Sequence, residues 1–515
     1  MSSEATAERS PAISRRRFLG ALGASAVGAT VGTGGALAGE VAAGRGGRRY
    51  AYAAQNPAYF GRMFNFRPFA NQSPQVEAAL NAVAASGGPM DARDDLSDPV
   101  ALITNPDLSR NNPDNPAHPA GATFMAQFLD HDITFDFTSR LGDPAPPEAT
   151  PNSRTPALDL DSVYGRGPVA DPQLYDAVDR AKLRVERARY EDVPRGADGR
   201  AILGDPRNDE NLIISGLHCA FLLFHDNVVD LVRSQGSSDA FGDARRLTTW
   251  HYQWLVVNEF LPLFVGPSTV NQVLTGGRRY YTPGTGQAYI PVEFNSAAYR
   301  FGHSMVRPSY RANFTGNGGS PFFGFIFKAD QDGRADPDDL RGGHRADRRF
   351  VGWETFFAFN GNVKHNKLID TKISSPLFNL PISALARNNP PTSLPQRNLL
   401  RQLTWKLPSG QDLARLMGLA QLSAGDLAEL RPYGHNLDRS TPLWYYILKE
   451  AEVIEGGLHL GPVGGRIVAE VVIGLLQCDP TSYLAANPSW QPTLPPGPSF
   501  RMTDFLTFAG VAGRR

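Results

Sequence analysis

Helical periodicity is the feature that most limits how this chain can fold. Apolar residues recur at intervals of three and four, as on a helix with one buried face, in five segments. These segments are residues 120–137, 211–235, 240–262, 293–306 and 463–477. Alternating strand patterns are sparse and short, and the 41 prolines and 51 glycines indicate long irregular connections. The pattern predicts a mainly α protein with little β structure.

Composition limits the number of domains and the kinds of partner. The sequence has no internal repeat and no change of composition after residue 60. We therefore expect a linker at residues 39–60 and one large helical domain at residues 61–515. The formal net charge is zero, which argues against a surface for nucleic acid or anionic lipid. Two cysteines, Cys219 and Cys478, allow at most one disulfide, so the fold must depend on its apolar core.

The N-terminal segment resembles a bacterial twin-arginine export signal. Residues 14–19 read SRRRFL, an Ala- and Gly-rich stretch follows, and residues 36–38 (ALA) have the small side chains of a cleavage site. A membrane anchor is the alternative, but the stretch is weakly hydrophobic. No later apolar run reaches the length of a membrane span. We expect residues 1–38 to be a signal peptide and the protein to be exported to the periplasm, the cell envelope or the medium.

The segment MAQFLDHDITF, residues 125–135, places polar side chains inside an apolar helix. Burying such groups without partners costs several kcal/mol. Gln127, Asp130 and His131 share one helix face, whereas Asp132 points about 100° further round. The pattern indicates either a polar face exposed to solvent or a helix whose polar residues contribute to two different functional sites.

A second polar cluster lies in SRTPALDLDSVYG, residues 153–165. Thr155, Asp159 and Asp161 alternate along an extended loop, and oxygen donors in this arrangement are typical calcium ligands. A solvated acidic loop is the alternative. Asp132, which points away from the face of His131, could supply the further carboxylate that a calcium site needs.

The two motifs QFLDHDITF and DLDSVYG together resemble the animal haem peroxidase family, the group that contains myeloperoxidase, in a bacterial version. Further matching motifs follow in the family's order, and the resemblance spans roughly residues 60–480. These are GDPRNDENLIISGLHCAFLLFHDN (204–227), YQWLVVNEFLP (252–262), YRFGHSMVRP (299–308), LPQRNLLR (394–401) and GPVGGRIVAEVVIGLL (461–476). The resemblance implies a helical haem-binding domain and an enzyme that uses hydrogen peroxide to oxidise a small donor.

The resemblance assigns the peroxide side of a haem b group to three residues. His131 would be the base that moves a proton between the two oxygens of the peroxide, which a neutral imidazole can do. Arg207 would stabilise the negative charge that develops as the O–O bond breaks. Gln127 would hydrogen-bond the waters of this side.

The opposite side of the haem is assigned to the segments around residues 300 and 400. His303 would ligate the iron, and Asn398 would accept the N–H of its ring and so orient it. Arg300 and Arg401 would pair with the haem propionates.

The resemblance also implies covalent links and a calcium ion. Asp130 and Glu210 match two carboxylates that form esters with haem methyl groups in this family. The calcium ligands would be Asp132, Thr155, the carbonyl of Ala157, Asp159 and Asp161. A calcium ion there would fix the helix that carries His131.

Departures from the family pattern leave other functions open. Asn211 stands where myeloperoxidase has a methionine bonded to haem, and the usual RDHG sequence is replaced by RQLTWKLPSG, residues 401–410. Bromide, iodide or phenols are the expected donors. The alternatives are a fatty-acid dioxygenase, which uses a tyrosine three residues before the proximal histidine, and a non-catalytic haem-binding or adhesion protein. Arg300 occupies that tyrosine position, and Tyr299 is expected on another side of the helix.

Overall fold

The computed structural model describes residues 56–187, 190–343, 347–359, 361, 363–382 and 390–513. The proposed signal peptide and residues 39–55 of the linker lie outside these ranges. Phe60, at the end of the expected linker, is buried in a short strand that pairs with Ile290.

Helices make up most of the regular structure, as the periodicity predicts. Their bounds are α1 Pro74–Val83, α2 Ala101–Thr104, α3 Gly121–Ile133, α4 Asp161–Tyr164, α5 Leu212–Ser234, α6 Ala240–Leu255, α7 Leu261–Val265, α8 Pro267–Gly276, α9 Val292–Asn295, α10 Leu394–Thr404, α11 Gly410–Met417, α12 Leu443–Glu455, α13 Pro462–Cys478, α14 Tyr483–Ala486 and α15 Met502–Phe508. Several short 3₁₀ turns connect them.

The described strands form four separate two-stranded pairs. Their bounds are β1 Phe60–Gly61, β2 Asp114–Pro119, β3 Glu186–Arg187, β4 Glu191–Asp192, β5 Ile290–Pro291, β6 Ser309–Asn317, β7 Ser320–Phe325 and β8 His365–Lys367. Strands β1 and β5 pair in parallel, whereas β2–β8, β3–β4 and β6–β7 are antiparallel. The fold is mainly α with little β structure.

Two predicted helices differ from the observed ones. The segment 240–262 forms α6 and then continues through a π-helical turn, Val256–Phe260, into α7. The prediction of a helix at 293–306 is wrong, because α9 is followed by a 3₁₀ turn, Ala298–His303. Residues 291–299 are all buried, so their apolar pattern reflects burial on every side rather than one helix face.

Helix α5 organises the core beside the site. Asn211 caps its N-terminus by accepting from the backbone N–H of Ile214 at 2.9 Å. Phe221 on α5 stacks on Phe128 of α3 with ring centroids 4.4 Å apart. Among the described helices, only α5 is long and apolar enough to cross a membrane by length and composition, and 89% of its apolar window is buried inside the protein. Both cysteines are buried and unbridged.

Candidate active site

A cavity of about 250 Å³ brings together seven of the predicted residues. They are Gln127, Asp130, His131, Arg207, Glu210, Arg300 and His303. Helix α3 contributes the first three, which confirms that these residues share one face. The 3₁₀ turn Pro206–Asp209 and the residue after it contribute Arg207 and Glu210, and the 3₁₀ turn Ala298–His303 contributes the last two.

His131 is buried and neutral at pH 7. Its Nδ1 lies 2.8 Å from Oδ1 of Asn208, which leaves Nε2 as the nitrogen free to serve the cavity. Burial first, and then the nearby Arg207 cation, lower the pKa of His131 from 6.5 to about 4. A neutral ring held through one nitrogen can accept a proton at the other.

Arg207 is fixed by a two-point ion pair that the sequence reading missed. Its Nη2 and Nε lie 2.7 and 3.1 Å from the two carboxylate oxygens of Asp205, a fully buried residue. Nη2 also donates to the backbone oxygen of His131, and Nη1 lies 3.9 Å from Asp130. These contacts hold the guanidinium at the cavity wall beside His131.

Gln127 contacts protein groups on both sides. Its Nε2 donates to Glu210 at 2.8 Å, and its Oε1 accepts from Asn211 at 3.1 Å. Burial raises the pKa of Glu210 to about 7, despite the opposing effect of Arg207. The carboxyl is therefore partly protonated near neutral pH, and an uncharged ester at this position would remove its burial cost.

His303 and Asn398 are in contact, but the amide nitrogen faces the ring instead of the accepting oxygen that the sequence predicts. Asn398 Nδ2 lies 2.7 Å from His303 Nδ1, and Asn398 Oδ1 accepts from Arg300 at 3.3 Å. The amide nitrogen therefore faces the ring because Arg300 attracts the oxygen, and a half-turn of the amide would present the oxygen instead. Burial, and then the Arg300 cation, lower the pKa of His303 to about 3, so the ring is neutral.

Arg401 does not lie among the residues that line the cavity. Its Nη1 pairs with Asp136 at 2.7 Å and with Ser139. Arg397, which the sequence reading did not select, lies in the cavity wall instead. Arg397 is thus a second cation close to Arg300.

The cavity fits a haem group on three observations. Two neutral imidazoles, His131 and His303, line it. Arg300 Nε is buried without a partner among the described residues, and burial and then the charge of Arg401 lower the pKa of Arg300 to about 10. The carboxylates of Asp130 and Asp136 act on Arg300 only from beyond ion-pair distance, and a propionate would supply a direct partner. The remaining wall is largely apolar, with Val306, Ile326, Phe327, Leu377, Leu380 and Leu394.

Tyr299 corrects one expectation from the sequence. Its ring lines the same cavity as His303, although the sequence placed it on another side of a helix. The segment is a 3₁₀ turn rather than an α-helix, so the angular positions of its side chains differ. The Tyr299 hydroxyl is buried and has no partner within the described part of the chain.

The acidic loop and Asp132 form a candidate cation site. Ligand oxygens of Asp132, Asp159 and Asp161 all lie within 4.8 Å of one another. Burial, followed by repulsion from the other carboxylates, raises the pKa of Asp132 well above its usual value and that of Asp159 to about 7. Burial also raises the pKa of Asp161. One buried and two half-buried carboxylates at this spacing are suited to a divalent cation.

The remaining predicted ligands lie on the same loop. Thr155 donates to Asp161 from its N–H at 3.0 Å and from its hydroxyl at 3.2 Å. Ala157, which lies between these two residues in the sequence, is buried. Arg154 lies 3.2 Å from Asp161 and 3.2 Å from Asp205. Arg154 therefore links the cation site to the ion pair that holds Arg207.

Residues 137–321 match the family model described as animal haem peroxidase. These residues are therefore identified as an animal haem peroxidase domain. Dog thyroid peroxidase is 26% identical over 228 residues, covering 38% of this chain and 24% of that protein. A peroxidase-like protein of Margaritifera margaritifera is 28% identical over 182 residues, covering 31% and 22%. The chain thus spans about a quarter or less of these family relatives.

Solved structures share the fold over most of this chain. Peroxidase A from Dictyostelium discoideum has a TM-score of 0.56 at 16% identity, covering 82% of this chain and 88% of its own. Oryza sativa fatty acid alpha-dioxygenase has a TM-score of 0.54 at 14% identity, covering 89% and 79%. At these identities the likeness concerns the fold alone, and it does not separate the two kinds of family enzyme.

Sequence reasoning missed the residues that hold the catalytic candidates in place. Asp205 and Asn208 flank Arg207 in sequence, and their polar character beside a selected residue was the available signal. His218 and His225 are buried on helix α5 and make hydrogen-bond contacts within the protein. His218 contacts Asn208 at 3.0 Å, and His225 contacts Tyr164 at 3.0 Å.

Proposed function

We propose that this protein is a haem peroxidase that oxidises bromide, iodide or a small phenolic donor with hydrogen peroxide. The observation that carries the proposal is the symmetry of two histidines at one cavity. His131 is buried and His303 is half-buried, both rings are neutral, and an asparagine amide contacts Nδ1 of each ring. Nε2 of His131 is thereby free to accept a proton, and Nε2 of His303 becomes free to bind iron once the Asn398 amide turns its oxygen towards Nδ1.

The chain's own residues can perform the proton transfers of peroxide reduction. Hydrogen peroxide takes up two electrons and two protons to give two water molecules, and the donor supplies the electrons. Nε2 of His131 can accept a proton from one peroxide oxygen and return it to the other, which becomes the leaving oxygen. The Arg207 cation, held by Asp205, can stabilise negative charge on that oxygen.

Haem b would be held by His303 as the iron ligand and by Arg300 as a propionate partner. When bound, haem supplies the iron redox chemistry that peroxide reduction requires. Arg401 is a second propionate partner in this proposal, although its guanidinium contacts Asp136 here. Asp130 and Glu210, both in the cavity wall, are the proposed ester-forming carboxylates.

A Ca²⁺ ion is proposed for the site formed by Asp132, Asp159 and Asp161, with Thr155 and the Ala157 carbonyl. The mutual repulsion of these carboxylates supports it. Export by the twin-arginine route remains part of the proposal and rests on the sequence of residues 14–38.

Fatty-acid dioxygenase activity is the second candidate, because Tyr299 lines the cavity with an unpartnered hydroxyl among the described residues. A tyrosine there could serve as the radical residue of such an enzyme. In the fatty-acid dioxygenases, however, the radical tyrosine is expected three residues before the proximal histidine, where this chain has Arg300. The peroxidase assignment therefore stands first.

Purified protein supplied with haem and Ca²⁺ tests the proposal. We expect a Soret band, and turnover of guaiacol or bromide with hydrogen peroxide and without lipid. Oxygen uptake with a fatty acid, abolished in Tyr299→Phe, would favour the second candidate instead. A haem-loaded protein that turns over neither donor nor fatty acid would contradict both and favour a binding role.

A further inference from the structure

Asn208 connects two buried imidazoles. Its Oδ1 lies 2.8 Å from Nδ1 of His131, and its Nδ2 lies 3.0 Å from Nδ1 of His218. Asn208 and His218 have no exposed surface, and His131 is 5% exposed. Water therefore has little access to this chain of contacts, and the three side chains must satisfy one another.

The orientation of the Asn208 amide decides where His131 carries its proton. An amide has an accepting oxygen and a donating nitrogen, and a neutral imidazole has one donor and one acceptor. With Oδ1 towards His131, the ring must carry its proton on Nδ1, which leaves Nε2 free to accept. With the amide reversed, Nδ2 would donate to Nδ1 of His131, and the proton would sit on Nε2.

His218 distinguishes the two orientations. In the observed one, Nδ1 of His218 accepts from Asn208, so the His218 proton is on Nε2. That nitrogen is buried with no hydrogen-bond partner among the residues described. The Phe128 ring lies beside His218, with centroids 6.2 Å apart and planes at 60°. An aromatic face attracts an N–H and repels a lone pair, so an Nε2–H directed at this ring would favour this tautomer.

We propose that Asn208 and His218 are positioning residues that lock His131 in the tautomer with a bare Nε2 towards the cavity. The proposal rests on the proposed function, because only a base at His131 requires this tautomer. Neither Asn208 nor His218 lines the cavity, so each acts through His131 rather than on the peroxide.

A spectroscopic measurement tests the lock without any turnover. The haem-loaded protein, reduced and bound to carbon monoxide so that it is diamagnetic, is labelled with ¹⁵N-histidine, and long-range ¹H–¹⁵N correlations report each tautomer. The signals of His131 and His218 are assigned by their loss in His131→Ala and His218→Phe. We expect the proton on Nδ1 of His131 and on Nε2 of His218. The reverse pair of tautomers would overturn the proposal.

Variants of Asn208 separate positioning from simple packing. Asn208→Leu removes both contacts, and we expect mixed His131 tautomers and a reaction with peroxide about 10- to 100-fold slower. Asn208→Asp keeps an acceptor for Nδ1–H and should restore the parent tautomer and most of the rate. Asn366→Leu is the matched control, because Asn366 is fully buried with both amide atoms unpartnered among the described residues.

A second variant, His218→Phe, keeps the proposal testable if Asn208→Leu does not fold. His218→Phe removes only the acceptor that fixes the amide, and we expect it to give mixed His131 tautomers with a smaller loss of rate. Parent-like tautomers in both folded variants, or an unchanged peroxide rate in Asn208→Leu, would refute the proposal. If the parent protein itself fails to react with peroxide, the proposed function fails, while the tautomer spectrum still decides the lock.

Discussion

Replacing Asp159 with asparagine should change stability in opposite directions with and without a bound cation. Burial, and then the charge of Asp161, raise the pKa of Asp159 from 3.8 to about 7. A raised pKa means that the protonated carboxyl favours the folded state. This contribution is complete below pH 3.8 and is lost as the pH rises through about 7.

The size of the effect follows from that shift. A difference of about 3 pKa units corresponds to roughly 4 kcal/mol. Above pH 7 the ionised carboxylate lowers the free energy of unfolding by this amount. Asparagine does not ionise, so at pH 8 and with Ca²⁺ removed by EGTA the variant should be more stable than the parent. A domain of this size has an unfolding entropy near 1 kcal/mol per K, so the midpoint should rise by about 4 °C.

Calcium should reverse the order. A ligand at 1,000 times its dissociation constant stabilises the folded state by about 4.1 kcal/mol, and by more at higher saturation, which exceeds the roughly 4 kcal/mol gained by the substitution. Asp159→Asn loses one of the charged ligands that bind the ion, so the variant gains less from it. The assay is thermal unfolding by circular dichroism at pH 5 and pH 8, in EGTA and in 1 mM Ca²⁺. We expect Ca²⁺ to raise the midpoint of the parent by several degrees and that of the variant by much less.

Asp226→Asn is the matched control. Burial raises the pKa of Asp226 to about 7 as well, but its carboxylate accepts from the backbone N–H of Leu183, away from the three-aspartate cluster. Its response to Ca²⁺ should equal that of the parent. The reasoning is refuted if chelated Asp159→Asn is no more stable than the parent at pH 8, or if Ca²⁺ stabilises both proteins equally.

Three further predictions concern the cavity. His131→Ala should keep the Soret band but slow the reaction with peroxide by at least about 100-fold in stopped-flow measurements, since it removes the base; a parent-like rate would contradict the assignment. His303→Ala should weaken haem binding, measured by the Soret absorbance, and added imidazole should restore it; haem affinity equal to the parent's would exclude His303 as ligand. Asp130→Asn and Glu210→Gln should each remove one ester link, so that acid-solvent extraction followed by mass spectrometry finds haem released only from the double variant.

The sequence predicted the cavity face of α3 because helical geometry fixes it locally. Spacings of three and four residues place Gln127, Asp130 and His131 together whatever the rest of the fold does. The opposite direction of Asp132 follows from the same geometry, and its contacts with Ser162 and Leu160 agree with it. The periodicity of this one helix was therefore sufficient to predict which of its residues face the cavity.

The segment around His303 could not be predicted in the same way. It is buried on all sides, so its apolar residues do not mark a face, and a 3₁₀ turn replaced the expected helix. This is why Tyr299 was expected away from the cavity. The contact of Asn208 with His131 could not be predicted either, because the two residues are 77 positions apart and such pairs leave no periodic signal. Asp205 lies only two residues from Arg207, and its polar character was the signal available there.

Helix α3 carries neighbouring residues, His131 and Asp132, that serve two different sites. A point substitution at either residue alters one site first. Inserting or deleting a single residue between Gln127 and Asp132 would turn the end of the helix by about 100°. His131 would then leave the cavity, and Asp132 would leave the candidate cation site. A substitution in this stretch can therefore alter one site and spare the other, whereas a change in its length alters both.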